Sequence, residues 1–243
     1  MTFLLAFLIT IAYFILVLFV LSVLLKAFLP VADEVVRKFQ HIGYAFSIFL
    51  YLELYDPWYQ AFYTIAIFMV GVFLFLFLLE KTSFYKQYLI DRKKQGGELK
   101  YSLLQGQAMF AILLALFIGI LPYGQETFII TAVMSWGFGD ALAALIGKYY
   151  GKKKLLLNGA DPHKTQLGST AMFFSVFIVV IACLIWQADI LWWVALIVAL
   201  LTAPLATLIE AYTKKGLDTI FLPTSIGLIV YGITVLFIVS GVL

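Results

Sequence analysis

"WGFGDALAALIGKYYGKKKLLLNGADPHKTQLGST" runs from Trp136 to Thr170. Its first half is apolar and suits hydrocarbon. Its second half carries Lys148, Lys152, Lys153, Lys154 and Lys164 and does not. Reading that change as a membrane helix giving way to a membrane-edge loop sets the class of the whole chain. Of 243 residues, 64% are hydrophobic and 12% charged, where a soluble domain carries about 25% charged residues. So few charges cannot clothe a water-facing surface. Lipid tolerates only helices and closed barrels, because every backbone polar group must be satisfied internally. The apolar runs are helix-length, so an all-α, polytopic integral membrane protein is expected.

Working outward, eight apolar segments are visible, near 2–28, 38–54, 57–79, 101–121, 125–149, 168–187, 189–209 and 220–243. Each comes close to the roughly 17–25 residues that cross the hydrocarbon core. The first is longer than a signal peptide and lacks a basic start and a small-residue cleavage site, so it reads as a retained membrane helix. All 16 basic residues fall in or beside the connections near 29–38, 80–100, 148–167 and 210–219. The alternate connections hold Glu53, Asp56, Glu126 and Asp189 and no Lys or Arg. The positive-inside bias then places the four basic connections in the cytoplasm and both termini outside. One transmembrane catalytic domain spanning 1–243 is expected. Cys183 is the single cysteine, which excludes an internal disulfide and a cysteine-cluster metal site. The basic residues alternate with spans, so nucleic-acid binding is not expected.

Several polar groups sit where they are costly. Asp140 lies eight residues before Lys148, about 12 Å below the membrane edge at the usual helical rise. An ionisable group at that depth is a functional candidate, with a packing ion pair as the plainer reading. Gly137 and Gly139 precede it, and Ala143, Ala144, Gly147 and Gly151 follow with little bulk. Such a face serves tight helix packing or leaves room for a phosphate and a metal. The next loop carries Gly151, Gly159 and Gly168 among lysines, then Thr165, Ser169 and Thr170 at the entry to the sixth span. A helix entry with free N–H groups is an anion site; for Lys152–Lys154 alone, contact with anionic lipid is as good a reading. In "RKFQHIG", Arg37 and His41 share a helix face and Lys38 lies close by. Glu98, in "RKKQGGELKY", and Glu210 and Asp218, in the last basic connection, offer further carboxylates for a divalent cation or simply solvated edges. All these groups gather at the cytoplasmic edge. Carboxylates, lysines and helix N-termini together suit Mg²⁺-assisted phosphoryl or nucleotidyl transfer.

"RKFQHIG", "GDALAALIGKYYGKKK" and "HKTQLGS" together resemble the polyprenol kinase family, which contains dolichol kinases, phytol kinases and CTP-dependent diacylglycerol kinases. The order and spacing agree over roughly residues 37–220. The resemblance implies a cytoplasm-facing transferase that moves the γ-phosphate of CTP, or a related nucleotide, onto the hydroxyl of a membrane lipid alcohol. It assigns Arg37, Lys38, His41, Asp140, Gly147, Gly151, Lys152, Lys164 and Thr165 to the site. Leu167 stands where the family usually has Glu, and Thr219 where Asn is common. The same block is similar to phosphatidate cytidylyltransferases, which make CDP-diacylglycerol, but their late acidic segment is replaced here by "EAYTKKGLDTIFLP".

The expected chemistry follows. Asp140, with Glu98 or Asp218, holds Mg²⁺ on the triphosphate. Lys164 and Lys152, the glycine amides of Gly147, Gly151 and Gly168, and Thr165 and Ser169 hold the phosphates. His41 or Asp140 takes the alcohol proton. A transporter, with Asp140 as an intramembrane ion site, is the reading from another class. Against it, the polar groups collect at one edge and not at the midplane.

Overall fold

A computed structural model describes residues 2–28, 31–83, 85, 98–213 and 217–243. Their regular structure is helical, apart from one antiparallel bridge between Lys154 and Thr165. The chain divides into two compact units, Met1–Ala111 and Ile112–Leu243.

The first unit holds α1 (Phe3–Ile15), a π-helical stretch Leu16–Val20, α2 (Leu21–Phe28), α3 (Asp33–Glu53), α4 (Gln60–Leu79) and the greater part of α5 (Glu98–Leu114). Asp33 and Glu34 open α3, where the positive end of the helix favours acids. Arg37 reaches back to Glu34 at 2.5 Å. Aromatic rings fill the core: Tyr44 stacks on Phe110 with centroids 5.3 Å apart, and Tyr51 lies 5.3 Å from Phe110. Gly106 makes room for Tyr44, because a Cβ there would stand 2.5 Å from the phenol oxygen. A buried phenol needs a partner when water is excluded, and Tyr51 donates to Gln107 Oε1 at 2.8 Å. Lys100 is likewise compensated. Its ammonium lies 2.5 Å from Glu80 Oε2 and 4.9 Å from the centre of the Phe77 ring.

The second unit is a ring of four helices: α6 (Glu126–Tyr149), α7 (Gln166–Ala188), α8 (Trp192–Tyr212) and α9 (Asp218–Val239). Each packs on the next, and α9 closes the ring against α6. The connections after α7 and after α8 are short, and Gly147 near the end of α6 lies against Gly168 near the start of α7, so neighbours are antiparallel. Two-thirds of the apolar window of α6 is buried (67%), more than in any other span, so the helix carrying Asp140 is the most enclosed. At its starting end Phe117, Phe128 and Tyr231 form an aromatic cluster, and the Tyr231 hydroxyl donates to Pro122 O at 2.6 Å.

Six helices among the described residues are long and apolar enough to cross a membrane: α4, Leu99–Ile120, α6, α7, α8 and α9. The sequence suggests eight. The two that differ are the first two. The first apolar run is divided among α1, the π-helical stretch and α2, none of which alone reaches spanning length. The 21 residues of α3 include Asp33, Glu34, Arg37, Lys38 and Glu53, too many charges for an apolar span.

Candidate functional site at one end of the four-helix ring

Antiparallel packing brings the end of α6, the start of α7, the end of α8 and the start of α9 to one end of the ring. The α6–α7 junction is built on glycine. A Cβ on Gly147 would meet Thr165 Oγ1 at 3.0 Å and Gly168 Cα at 3.4 Å. One on Gly168 would meet Ala143 O at 2.9 Å, and one on Gly151 would stand 2.4 Å from both Gly147 O and Thr165 Oγ1. These three glycines therefore let two helices and the intervening loop touch. Their hollow is filled by the Thr165 side chain.

Thr165 is the N-cap of α7. Its extended backbone precedes the first turn, and its hydroxyl accepts from Gly168 N at 3.1 Å. That cap satisfies one of the free donors every helix start carries. Ser169 N donates to Thr165 O at 3.0 Å, and Gly151 N to Gly147 O at 3.1 Å. The amides of Gly151, Gly168 and Ser169, expected from the sequence to face phosphate, are thus bonded within the chain. Thr165→Ala should cost about 1 kcal/mol through loss of the cap, and Thr165→Ser should restore most of it, as read from the thermal midpoint of the detergent-solubilised protein.

Before α7 the chain forms a narrow hairpin. Leu155 N donates to Lys164 O and Gln166 N to Lys153 O, both at 3.0 Å, around the Lys154–Thr165 bridge. Asp161 N donates to Ala211 O at 3.0 Å and docks the hairpin on the end of α8. This docking sets Lys164 beside Glu210, and the two form an ion pair. Glu210 is 2% exposed, and its Oε2 has no hydrogen-bond partner among the described residues. The buried Ser169 Oγ likewise has none. Two polar atoms without partners among the described residues thus sit at this end of the ring, and buried groups in that state call for an explanation such as water or an ion.

Asp140 lies on α6, half-buried, seven residues or about 10 Å of helix before the Gly147 contact. Asp218 is the first residue of α9, and its Oδ1 accepts from Thr219 N at 3.0 Å. Lys152 is exposed on the hairpin. The second unit thereby brings Asp140, Gly147, Gly151, Lys152, Lys164, Thr165, Gly168, Ser169 and Asp218 to one half of one ring. Arg37, Lys38 and His41 belong to the first unit, on α3; Lys38 is 2% exposed and Arg37 is held by Glu34. Glu98 opens α5, and its side chain lies outside the described residues.

No family model, curated protein or solved structure matches the chain. Among the described residues no three of His, Cys, Asp and Glu are grouped so as to hold a metal ion.

Glu210 is the site residue that sequence reasoning undervalued. From the sequence it is one more edge carboxylate. Its signal is position: it lies in the last turn of a membrane helix, where the helix dipole disfavours an acid. A cation partner is therefore expected, and Lys164 supplies one.

Proposed function

We propose that the chain is a CTP-dependent lipid kinase. It transfers the γ-phosphate to the hydroxyl of a membrane lipid alcohol (a polyprenol, a phytol-like isoprenoid or diacylglycerol) at the cytoplasmic face of a multi-pass protein with both termini outside. The observation that carries the reading is the end of the ring just described: a lysine at a helix entry, a buried carboxylate with an unpartnered oxygen, and an acid two helical turns below them. Phosphoryl transfer asks mainly for positioning and charge neutralisation, and these groups suit both.

Mg²⁺ suits the same end. It is typically held by one or two carboxylates together with the phosphates of its nucleotide, so a three-residue cluster is not required. Asp140 and Asp218 would hold it, with the unpartnered Glu210 oxygen in reserve, and it would neutralise charge on the phosphates. Lys164 and Lys152 bind the triphosphate. Thr165 fixes the start of α7 and thereby the backbone next to Lys164. Arg37, Lys38 and His41 enter through the sequence resemblance alone.

The test uses purified protein, a panel of lipid alcohols and CTP labelled at the α or the γ position. Label from γ in the lipid is the expected result. Label from α with release of pyrophosphate would replace the kinase by a cytidylyltransferase, and transport into sealed vesicles without nucleotide would replace both. Asp140→Asn should abolish turnover and leave the protein folded and extractable; full turnover in that variant removes Asp140 from the chemistry.

A further inference from the structure

We infer that the flank of α6 and α7 is a binding site for one membrane phospholipid with an anionic head. An open groove of about 610 Å³ runs along it, lined by Phe138, Leu142 and Ile146 of α6 and by Leu167, Phe174 and Ile178 of α7, among others. The two lining hydroxyls are turned to their own helix. Thr170 Oγ1 donates to Gln166 O at 2.9 Å, and Ser175 Oγ donates to Ala171 O at 2.7 Å. The wall is therefore chemically a hydrocarbon surface, fitted to an acyl or isoprenoid chain.

Charge selects the head. Leu167 lies at the groove's hairpin end, and its neighbour Gln166 is bonded through its N–H to Lys153 O. The strand so held carries Lys153 and Lys154 side by side, both exposed. Leu156, two residues on, is 88% exposed. Lysines beside bare leucines are the composition of a segment lying at the headgroup boundary, basic groups on lipid phosphates and apolar groups below them. The groove is distinct from the candidate site. Phe138, Leu142 and Ile146 repeat every four residues along one face, and Asp140, two residues from Phe138, projects about 200° around the helix from it. The inference therefore stands apart from the kinase reading.

The test is lipid cross-linking in nanodiscs of phosphatidylcholine with phosphatidylglycerol as the minor component. Benzoylphenylalanine replaces Leu142 or Phe174 in the groove, or Leu200 on the exposed side of α8 as a control. Adducts are identified by mass spectrometry. At the groove positions phosphatidylglycerol should be enriched several-fold over its mole fraction, and at Leu200 not at all. The double substitution Lys153→Gln/Lys154→Gln should bring the enrichment back to the mole fraction while cross-linking continues. Native mass spectrometry of the unsubstituted groove should show phosphatidylglycerol retained by the parent protein and lost from the double variant. Adducts that follow mole fraction at Leu142 and Phe174, or enrichment and retention unchanged by the lysine substitutions, overturn the inference. Neither readout depends on catalysis, so it can fail while the kinase reading stands, and the reverse.

Discussion

Lys164→Met is expected to destabilise the second unit by about 3–5 kcal/mol, the cost typical of removing one partner from a buried ion pair. Glu210→Gln should cost less. The asymmetry comes from burial. The Glu210 side chain is 3% exposed and that of Lys164 is 24% exposed. Stripped of its carboxylate, the lysine can still turn its ammonium toward water. Stripped of its lysine, the carboxylate is trapped without the cation that faces it, in a place where Oε2 already has no partner among the described residues. The double variant Lys164→Met/Glu210→Gln should recover a good part of the loss, because it removes the stranded charge. Unfolding of the solubilised protein in denaturant, analysed as a double-mutant cycle, measures all three terms. Equal losses in the two single variants would show that the pair is not held in this environment.

The second large effect is expected at the helix junction. Gly151→Ala and Gly168→Ala should each cost about 1–3 kcal/mol, the range for forcing a methyl group into a packed site. The obstacle is mainly backbone. A Cβ on Gly151 stands 2.4 Å from Gly147 O, and one on Gly168 stands 2.9 Å from Ala143 O. No rotamer relieves either contact, so the chain leaving α6 must shift in the first variant and α6 and α7 must part in the second. Gly232→Ala is the control: nothing lies within 4 Å of a Cβ there, and alanine in place of an exposed helical glycine gains up to about 1 kcal/mol. If phosphotransfer is the activity, the two junction variants should also lose turnover at temperatures where they remain folded, since the same contacts orient Lys164. Thermal midpoints and γ-label transfer, measured on the same preparations, separate the two effects. Wild-type stability in Gly168→Ala would mean that the helices do not meet as described.

Much of this was open to reading because membrane helices announce themselves locally. The apolar runs near 57–79, 101–121, 125–149, 168–187, 189–209 and 220–243 match six helices of spanning length. Thr165 stands at the entry to α7, as expected of a hydroxyl residue closing a polar loop before an apolar run. What failed to be legible was of two kinds. Hydropathy cannot register a change of helical pitch, so a 27-residue apolar run gave no sign of its π-helical interruption. It averages charge over a window, so the polar first turns of α3 were folded into an apolar segment that begins later. The glycines posed a different difficulty. Gly147, Gly151 and Gly168 are compatible with an anion approaching the backbone or with another piece of chain doing so, and only coordinates show the Thr165 side chain in that place. The Lys164–Glu210 pair joins residues 46 apart in sequence, a separation across which no local pattern carries information.

The π-helical stretch Leu16–Val20 sets the azimuth of α2 relative to α1. Its backbone closes five residues back, Leu21 N–H to Leu16 O, and so accommodates one residue more than an α-helix would. Each helical residue turns the chain by about 100°. Excising a single residue there would spin Leu21–Phe28 by that angle against α1 and carry Lys26 away from Asp33, which it now meets at 2.7 Å. One surplus residue near the start of the chain thus acts as a phase shifter, fixing the bearing from which the polypeptide departs toward α3.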